Sequence, residues 1–323
     1  MSDSTAQYVT AVTTQLGNVP QQMQSVLASC VSYNPNNTTG KEAIMFDDRG
    51  RTDPKETDTK GGRIEPRELN GERRGGYFTG DDDWFYIWEE DKVRMLLDPT
   101  YADMQSLMAG KERKKDWDIV NNLLFGLTAK STGGVNKPLD TTESLASGQI
   151  IAADSRLHLH ADEKSRVAAS GPLHLTIGKL ILANKLLSAG QVRGKKYIAV
   201  DENAKANLLA SIPVTSSLYT KAEALYNGTV DFFMGFTFKE LSSDEGIIPT
   251  YTETGDLAAS EYPAWIDSGV YYEERPITNV SVQKDYGIRG HPTQVYYKRE
   301  RAWCRRYRRA VVKIKCTNAE QMA

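Results

Sequence analysis

The hydrophobic pattern changes character several times along the chain, and each change marks an element. Residues 5–32 carry Val9, Val12 and Leu16, then Met23, Val26 and Leu27 beyond a break at Gly17 to Pro20. This predicts a helical N-terminal arm that ends in the loop Asn34-Pro35-Asn36-Asn37. Between Phe46 and Tyr77 only Ile64 and Leu69 are large and apolar, while charges of both signs alternate and six glycines interrupt. Such a stretch cannot offset the entropy of ordering by burying its own side chains. It predicts either a disordered loop or a long hairpin that gains order only on another subunit.

Order returns with Tyr77-Phe78 and Trp84-Phe85-Tyr86-Ile87-Trp88, which predict a strand. Asp98-Pro99 reads as a helix start, and Tyr101, Met104, Leu107, Met108, Trp117, Val120, Leu124 and Leu127 follow at helical spacing. A helix of about 30 residues would be ~45 Å long, the length of a strut. A kink or split at Gly110 is the alternative. Residues 131–172 read as loop-rich, with a short strand near Gln149-Ile150-Ile151.

A compact α/β alternation follows. Thr176 caps a helix closed by Gly190, Lys196–Val200 is a buried strand, and Asp201 caps a second helix. Ser216 or Ser217 starts a third that ends at Asn227-Gly228, and Phe232 to Phe238 is again strand. Beyond a polar excursion over 242–262, Ala264–Ile266 and Val270–Tyr272 read as strands. The segment 293–316 reads as one long β-ribbon, with nine Lys and Arg against a single acid, Glu300.

Composition narrows the picture by exclusion. Across 323 residues, 40 Lys and Arg nearly balance 42 Asp and Glu, so no global charge announces a polyanionic or membrane partner. No apolar run approaches the ~18 residues that span a bilayer, and the start of the chain lacks the pattern of a signal peptide. Three widely spaced cysteines, Cys30, Cys304 and Cys316, argue against a disulfide framework and for synthesis in a reducing cytoplasm.

Candidate chemistry is sparse. His158 and His160 with Asp162 could present two imidazoles to a metal, or could be ordinary surface polar residues. Asp81-Asp82-Asp83 reads as a solvated turn, because adjacent carboxylates do not converge on one ion. No phosphate-binding Gly-rich loop, dinucleotide turn or nucleophile elbow is present. No catalytic residue, cofactor or metal site is therefore assigned. Within the basic ribbon, Arg301, Arg305, Arg306, Arg308 and Arg309 could contact DNA phosphates, or acids of a neighbouring subunit.

Two stretches resemble the major capsid proteins of tailed phages with the HK97-like fold. One is Asp91-Lys92-Val93-Arg94-Met95-Leu96-Leu97-Asp98-Pro99, which is similar to that family's entry into its spine helix. The other is Tyr219 to Phe238, where Ala222, Leu225 and Asn227-Gly228 lead to Phe233-Met234-Gly235-Phe236. The resemblance implies an α+β fold with an N-terminal arm (1–46), an extended loop (47–80), and a peripheral domain with the spine helix (81–135). It further implies an axial domain (136–289) and C-terminal strands that complete the peripheral domain (290–323). It implies self-assembly as homo-hexamers and homo-pentamers into an icosahedral virion head around double-stranded DNA, with scaffolding, portal and decoration proteins as further partners. Arg49, Arg51, Lys55, Lys60, Arg63, Arg67, Arg73 and Arg74 of the loop would then make intersubunit contacts. Some relatives join subunits through a Lys–Asn isopeptide bond; Lys55 and Lys60 lie in the corresponding segment and Asn318 near the other end, but spacing identifies no catalytic acid. The competing readings are an encapsulin-like compartment shell, a metal-dependent enzyme using His158 and His160, and a DNA-binding module using the basic ribbon.

Overall fold

The computed structural model describes residues 22–33, 43–50, 71–90, 100–135, 137–157, 172–212, 214, 216–253 and 257–317. The chain divides into two compact units, one drawn from 80–115 and 275–300 together with 1–25, the other from 26–79, 116–274 and 301–323.

The smaller unit holds most of a helix, α1 (Thr100–Asp118), and most of a three-stranded sheet. That sheet runs in the order β12 (Val270–Lys284), β13 (Thr293–Arg305), β3 (Thr79–Ile87). Alternation puts Val295 and Tyr297 of β13 on the inward face with Ile87 of β3 and Leu107 of α1, and Phe85 and Met104 close the cluster. The helix passes through Gly110 without a split. Its 19 α-helical residues span about 28 Å, and the expected start at Asp98-Pro99 lies outside the described residues.

The larger unit takes the end of that helix. After Asp118 the coil widens into six residues of π-helix, Ile119–Leu124, where the Phe125 N–H donates to Val120 O at 3.1 Å. A side chain competes for the backbone here: Asn121 Nδ2 donates to Trp117 O, the carbonyl four residues back, at 3.2 Å, and to Ile247 O at 2.9 Å. Ile119, Val120, Leu123 and Leu124 are all buried.

Two sheets make up the rest of this unit. A seven-stranded sheet has the order β6 (Ile150–Ile151), β14 (Val311–Thr317), β11 (Leu257–Ile266), β7 (Lys196–Val200), β9 (Phe236–Glu240), β8 (Phe232–Phe233), with β10 (Thr250–Glu253) also on β11. Only β6–β14 and β7–β9 are parallel. Its core is formed by Trp265, Ile198, Val200, Val312 and Ile314 against the helix α2 (Ile177–Ala189). A four-stranded sheet has the order β1 (Ala43–Arg49), β2 (Gly71–Tyr77), β4 (Thr128–Lys130), β5 (Thr141–Glu143).

The helix caps fall where the residue types place them. Thr176 accepts from the Lys179 N–H, Asp201 from the Ala204 N–H ahead of α3 (Glu202–Ala210), and Ser216 from the Leu218 N–H ahead of α4 (Ser217–Tyr226). Gly190 ends α2 for another reason than expected. Its φ of −71° is right-handed, and the left-handed residue is Gln191. A Cβ at Gly190 would lie 2.8 Å from the Arg309 Cβ, so the glycine is there for close approach.

Three other expectations are corrected. Residues 22–33 hold one 3-10 turn, Ala28–Cys30, because the Asp116 carboxylate takes the N–H groups of Val26 and Leu27 at 2.9 and 3.1 Å. The run Phe232 to Phe238 is not one strand, since Met234 and Gly235 both have positive φ and form the tight turn between β8 and β9. The segment 293–316 is not one ribbon: after the 3-10 turn Arg308–Ala310 the chain leaves β13 and enters the seven-stranded sheet as β14.

Candidate functional site

The charged hairpin is fixed at its base. β1 and β2 pair antiparallel from Ala43↔Tyr77 to Arg49↔Gly71, which leaves residues 51–70 between the two strand ends and outside the described residues. Gly75 and Gly76 allow close packing there. A Cβ at Gly76 would lie 1.9 Å from Trp303 O, and one at Gly75 would lie 2.3 Å from Ile44 O. Ile44 and Phe46 of β1 turn inward onto Ala302 and Cys304 of β13.

Around this apolar anchor sits a ring of arginines, each met by a carboxylate of its own chain. Arg73 grips Asp47 with two bonds, Nε to Oδ1 at 2.6 Å and Nη2 to Oδ2 at 2.7 Å. Arg74, 5% exposed, reaches Glu143 at 2.6 Å and Glu72 at 2.9 Å. Arg306 binds Asp48 with Nε at 3.0 Å and Nη2 at 2.5 Å, and its guanidinium lies 5.2 Å from the Phe46 ring centre and 5.0 Å from that of Tyr307. The carboxylate of Asp48 raises the Arg306 pKa further above its usual value. Glu143 is a shared acceptor, with Arg74, Arg308 at 3.2 Å and Lys130 at 3.9 Å around it.

Other arginines of the basic run are used inside the subunit. Arg301 donates to the fully buried Asp118. Arg305, 1% exposed, points Nη1 at Leu124 O (2.9 Å) and Nη2 at Gly126 O (3.3 Å) and Glu143 O (3.2 Å). It thereby satisfies carbonyls at the end of the π-helix. Burial pulls its pKa down to about 10, which leaves it charged at neutral pH. In the smaller unit Arg299 meets Asp81 at 2.9 and 3.0 Å. Thus Arg301, Arg305 and Arg306, expected to face DNA or a neighbour, bind acids and carbonyls of their own chain. Only Arg308, with its side chain 54% exposed, and the exposed Arg309 keep an open face.

The same holds for part of the loop set: Arg73 and Arg74 are engaged within the subunit, while Arg49 sits exposed at the end of β1. Arg51, Lys55, Lys60, Arg63 and Arg67 lie outside the described residues, as do His158, His160, Asp162 and Asn318. Among the described residues no group of three or more His, Cys, Asp or Glu is placed to hold a metal ion. The three cysteines are buried free thiols, and burial pushes Cys304 up to about 12 and Cys316 to about 11.

Two buried polar groups escaped the sequence reading. Lys179, fully buried, donates to Leu173 O at 2.7 Å and Lys315 O at 2.8 Å, so it ties α2 to β14. Tyr262 OH donates to the buried Asp201, which also caps α3. Lys179 sits in an apolar run and Tyr262 at the end of the polar excursion, and nothing in the pattern distinguishes their partners. The arginine–carboxylate ion pairs hold the hairpin by its base, the paired strands β1 and β2.

A family model described as phage capsid protein matches residues 5–318. No curated protein matches the chain. Among solved structures, the capsid of Ralstonia phage GP4 is similar over 97% of both chains, at 10% identity and a TM-score of 0.66. The capsid asymmetric unit of cyanophage Pam1 is similar over 97% of this chain and 98% of that one, at 12% identity and a TM-score of 0.66. The acid-stable capsid of Helicobacter pylori bacteriophage KHP30 covers 95% of each chain at 9% identity, with a TM-score of 0.63. At such identities the structures establish the fold, and the family model carries the rest. With its α+β, HK97-like fold, the chain belongs to the phage capsid protein family, as a major capsid protein of a tailed-phage head.

Proposed function

We propose that this subunit assembles as hexamers and pentamers into an icosahedral head that encloses double-stranded DNA, and that it acts by assembly and not by catalysis. The observation that carries this reading is the hairpin. Its base is locked to its own chain by Arg73–Asp47, Arg74–Glu143 and Arg306–Asp48, whereas residues 51–70 contain only Ile64 and Leu69 as large apolar side chains. A segment so polar finds little core in its own subunit and suits charged contacts with a neighbour. In this assignment 47–80 is the extended loop reaching over the next subunit. Residues 81–135 with 290–323 form the peripheral domain, and 136–289 form the axial domain around the symmetry axes. Arg49, Arg51, Lys55, Lys60, Arg63 and Arg67 supply loop contacts; Arg308 and Arg309 are the members of the basic run left to meet DNA or a neighbour. Synthesis in the host cytoplasm, and scaffolding, portal and decoration partners, complete the assignment.

The test follows from the strand register. Replacing residues 50–70 by a two-residue Asn-Gly turn keeps β1 and β2 paired, since Arg49 lies opposite Gly71. The expected product is a soluble subunit with unchanged far-ultraviolet circular dichroism that forms no shells by negative-stain microscopy. Normal shells from this variant would remove the role given to the hairpin.

A further inference from the structure

The larger unit carries a cleft of about 630 Å³ beside the starts of β7 and β9. Its lining includes Lys195, Lys196 and Lys239 against one carboxylate, Asp231, with Tyr197 and Phe232 as aromatic wall. The Lys196 ammonium is held by neutral groups, Asn184 Oδ1 and Ser188 Oγ, the latter at 2.8 Å. No carboxylate pairs with any of the three lysines among the described residues. The site therefore keeps an excess of two positive charges, in a subunit whose other buried cations are met by acids or carbonyls. Burial lowers the Lys196 pKa, which marks the cost of leaving such a charge without an anion.

The complementary surface lies on the other unit. On β3, Asp81 is taken by Arg299, but Asp82 and Asp83 are exposed and meet no cationic side chain among the described residues. The Trp84 N–H donates to Asp83 Oδ1 at 2.9 Å. Trp84 follows them at 55% exposure, unusual for an indole in a folded subunit. Asp82 and Trp84 share one face of β3, while Asp83 lies on the opposite face and is exposed on this edge strand. Two carboxylates match the charge excess of the cleft, and an indole suits its volume and aromatic wall.

We propose that the lysine cleft of one subunit receives the Asp82-Asp83-Trp84 segment of a second copy, as a head-to-tail contact of the shell. A head-to-tail contact joins different patches on identical subunits and forms a ring where its rotation closes. Tryptophan is enriched among interface anchors. This inference rests on the shell reading above and names one of its contacts.

Charge reversal tests it in the full chain. Lys195→Glu with Lys239→Glu, and separately Asp82→Lys with Asp83→Lys, should each lower shell yield by about tenfold or more while leaving soluble folded subunits. All four substitutions together should restore shells. Either pair assembling like the unmodified chain, or no recovery in the quadruple variant, overturns the contact. Shells that form normally from the lysine variant but retain less DNA overturn it too, and would place nucleic acid in the cleft instead. A second measurement covers variants that fail to fold: Asp83→Cys with Lys195→Cys should give disulfide-linked dimers and larger oligomers on mild oxidation, and monomer alone counts against the pairing. Unmodified protein that forms no shells would refute the shell reading itself, whereas the cysteine pair still reports on the contact in any oligomer.

Discussion

Whether a charged residue is spent inside the subunit or offered outside was partly legible from strand parity. In β13, Val295, Tyr297, Arg299 and Arg301 are odd-numbered neighbours and share the inward face. The composition of the basic run concealed this, because counting nine cations says nothing about which way each points. The convergence of Arg74, Arg308 and Lys130 on Glu143 could not be read at all, since it brings together three strands and a turn distant in sequence. The Arg301–Asp118 pair yields a measurable expectation. Truncating one partner, as in Arg301→Ala, strands a buried charge and should cost about 3–5 kcal/mol in urea unfolding. Replacing both partners with Met and Leu should cost much less. A second residue sets a pH response. His174 is 4% exposed, and burial with the nearby Lys179 lowers its pKa from 6.5 to about 4. The folded state thus holds it neutral, while the unfolded chain binds a proton more readily. Stability is full above about pH 6.5 and falls as pH drops towards 4, by on the order of 3 kcal/mol in total. In His174→Gln the urea midpoint should change less between pH 7 and pH 4.5 than in the unmodified chain.

At the scale of elements, the sequence located most helices and strands but not how they join. Capping residues made Thr176, Asp201 and Ser216 visible as helix starts, because a cap is a local interaction. Sheet membership is not local. The run 293–316 looks uniform, yet its two strands enter different sheets because the turn Arg308–Ala310 is pinned by Gln149, whose Nε2 donates to Arg308 O and Val311 O at 2.5 and 2.7 Å. The glycines illustrate the same division. Gly110 lies within α1 with nothing nearer to an added Cβ than Arg113 Nη2 at 3.9 Å, so Gly110→Ala should stabilise by about 0.5–1 kcal/mol. Gly76, against the Trp303 carbonyl, behaves oppositely: Gly76→Ala forces backbone apart and should cost about 1–3 kcal/mol, with β1 and β2 losing amide protection first. Both are glycines within regular elements, and only the structure separates them.

For the whole molecule, the division of charge between inside and outside predicts how the shell responds to salt. Buried pairs such as Arg301–Asp118 are screened little, whereas exposed contacts between copies fall within reach of counterions. Raising sodium chloride from 0.1 M to about 1 M should therefore dissociate shells in sedimentation before it shifts the urea midpoint of the free subunit appreciably. Assembly also raises the question of timing. β14 lies inside the seven-stranded sheet, between β6 and β11, and receives Lys179 of α2 on its Lys315 carbonyl. The ribosome delivers it about fifty residues after β11 is complete. At about 5–20 residues per second that is an interval of several seconds in which the central sheet has a gap. A nascent chain in that interval, or one broken off within it, lacks a finished subunit to offer its neighbours. A chain that stops before residue 311 therefore lacks the strand that joins β6 to β11.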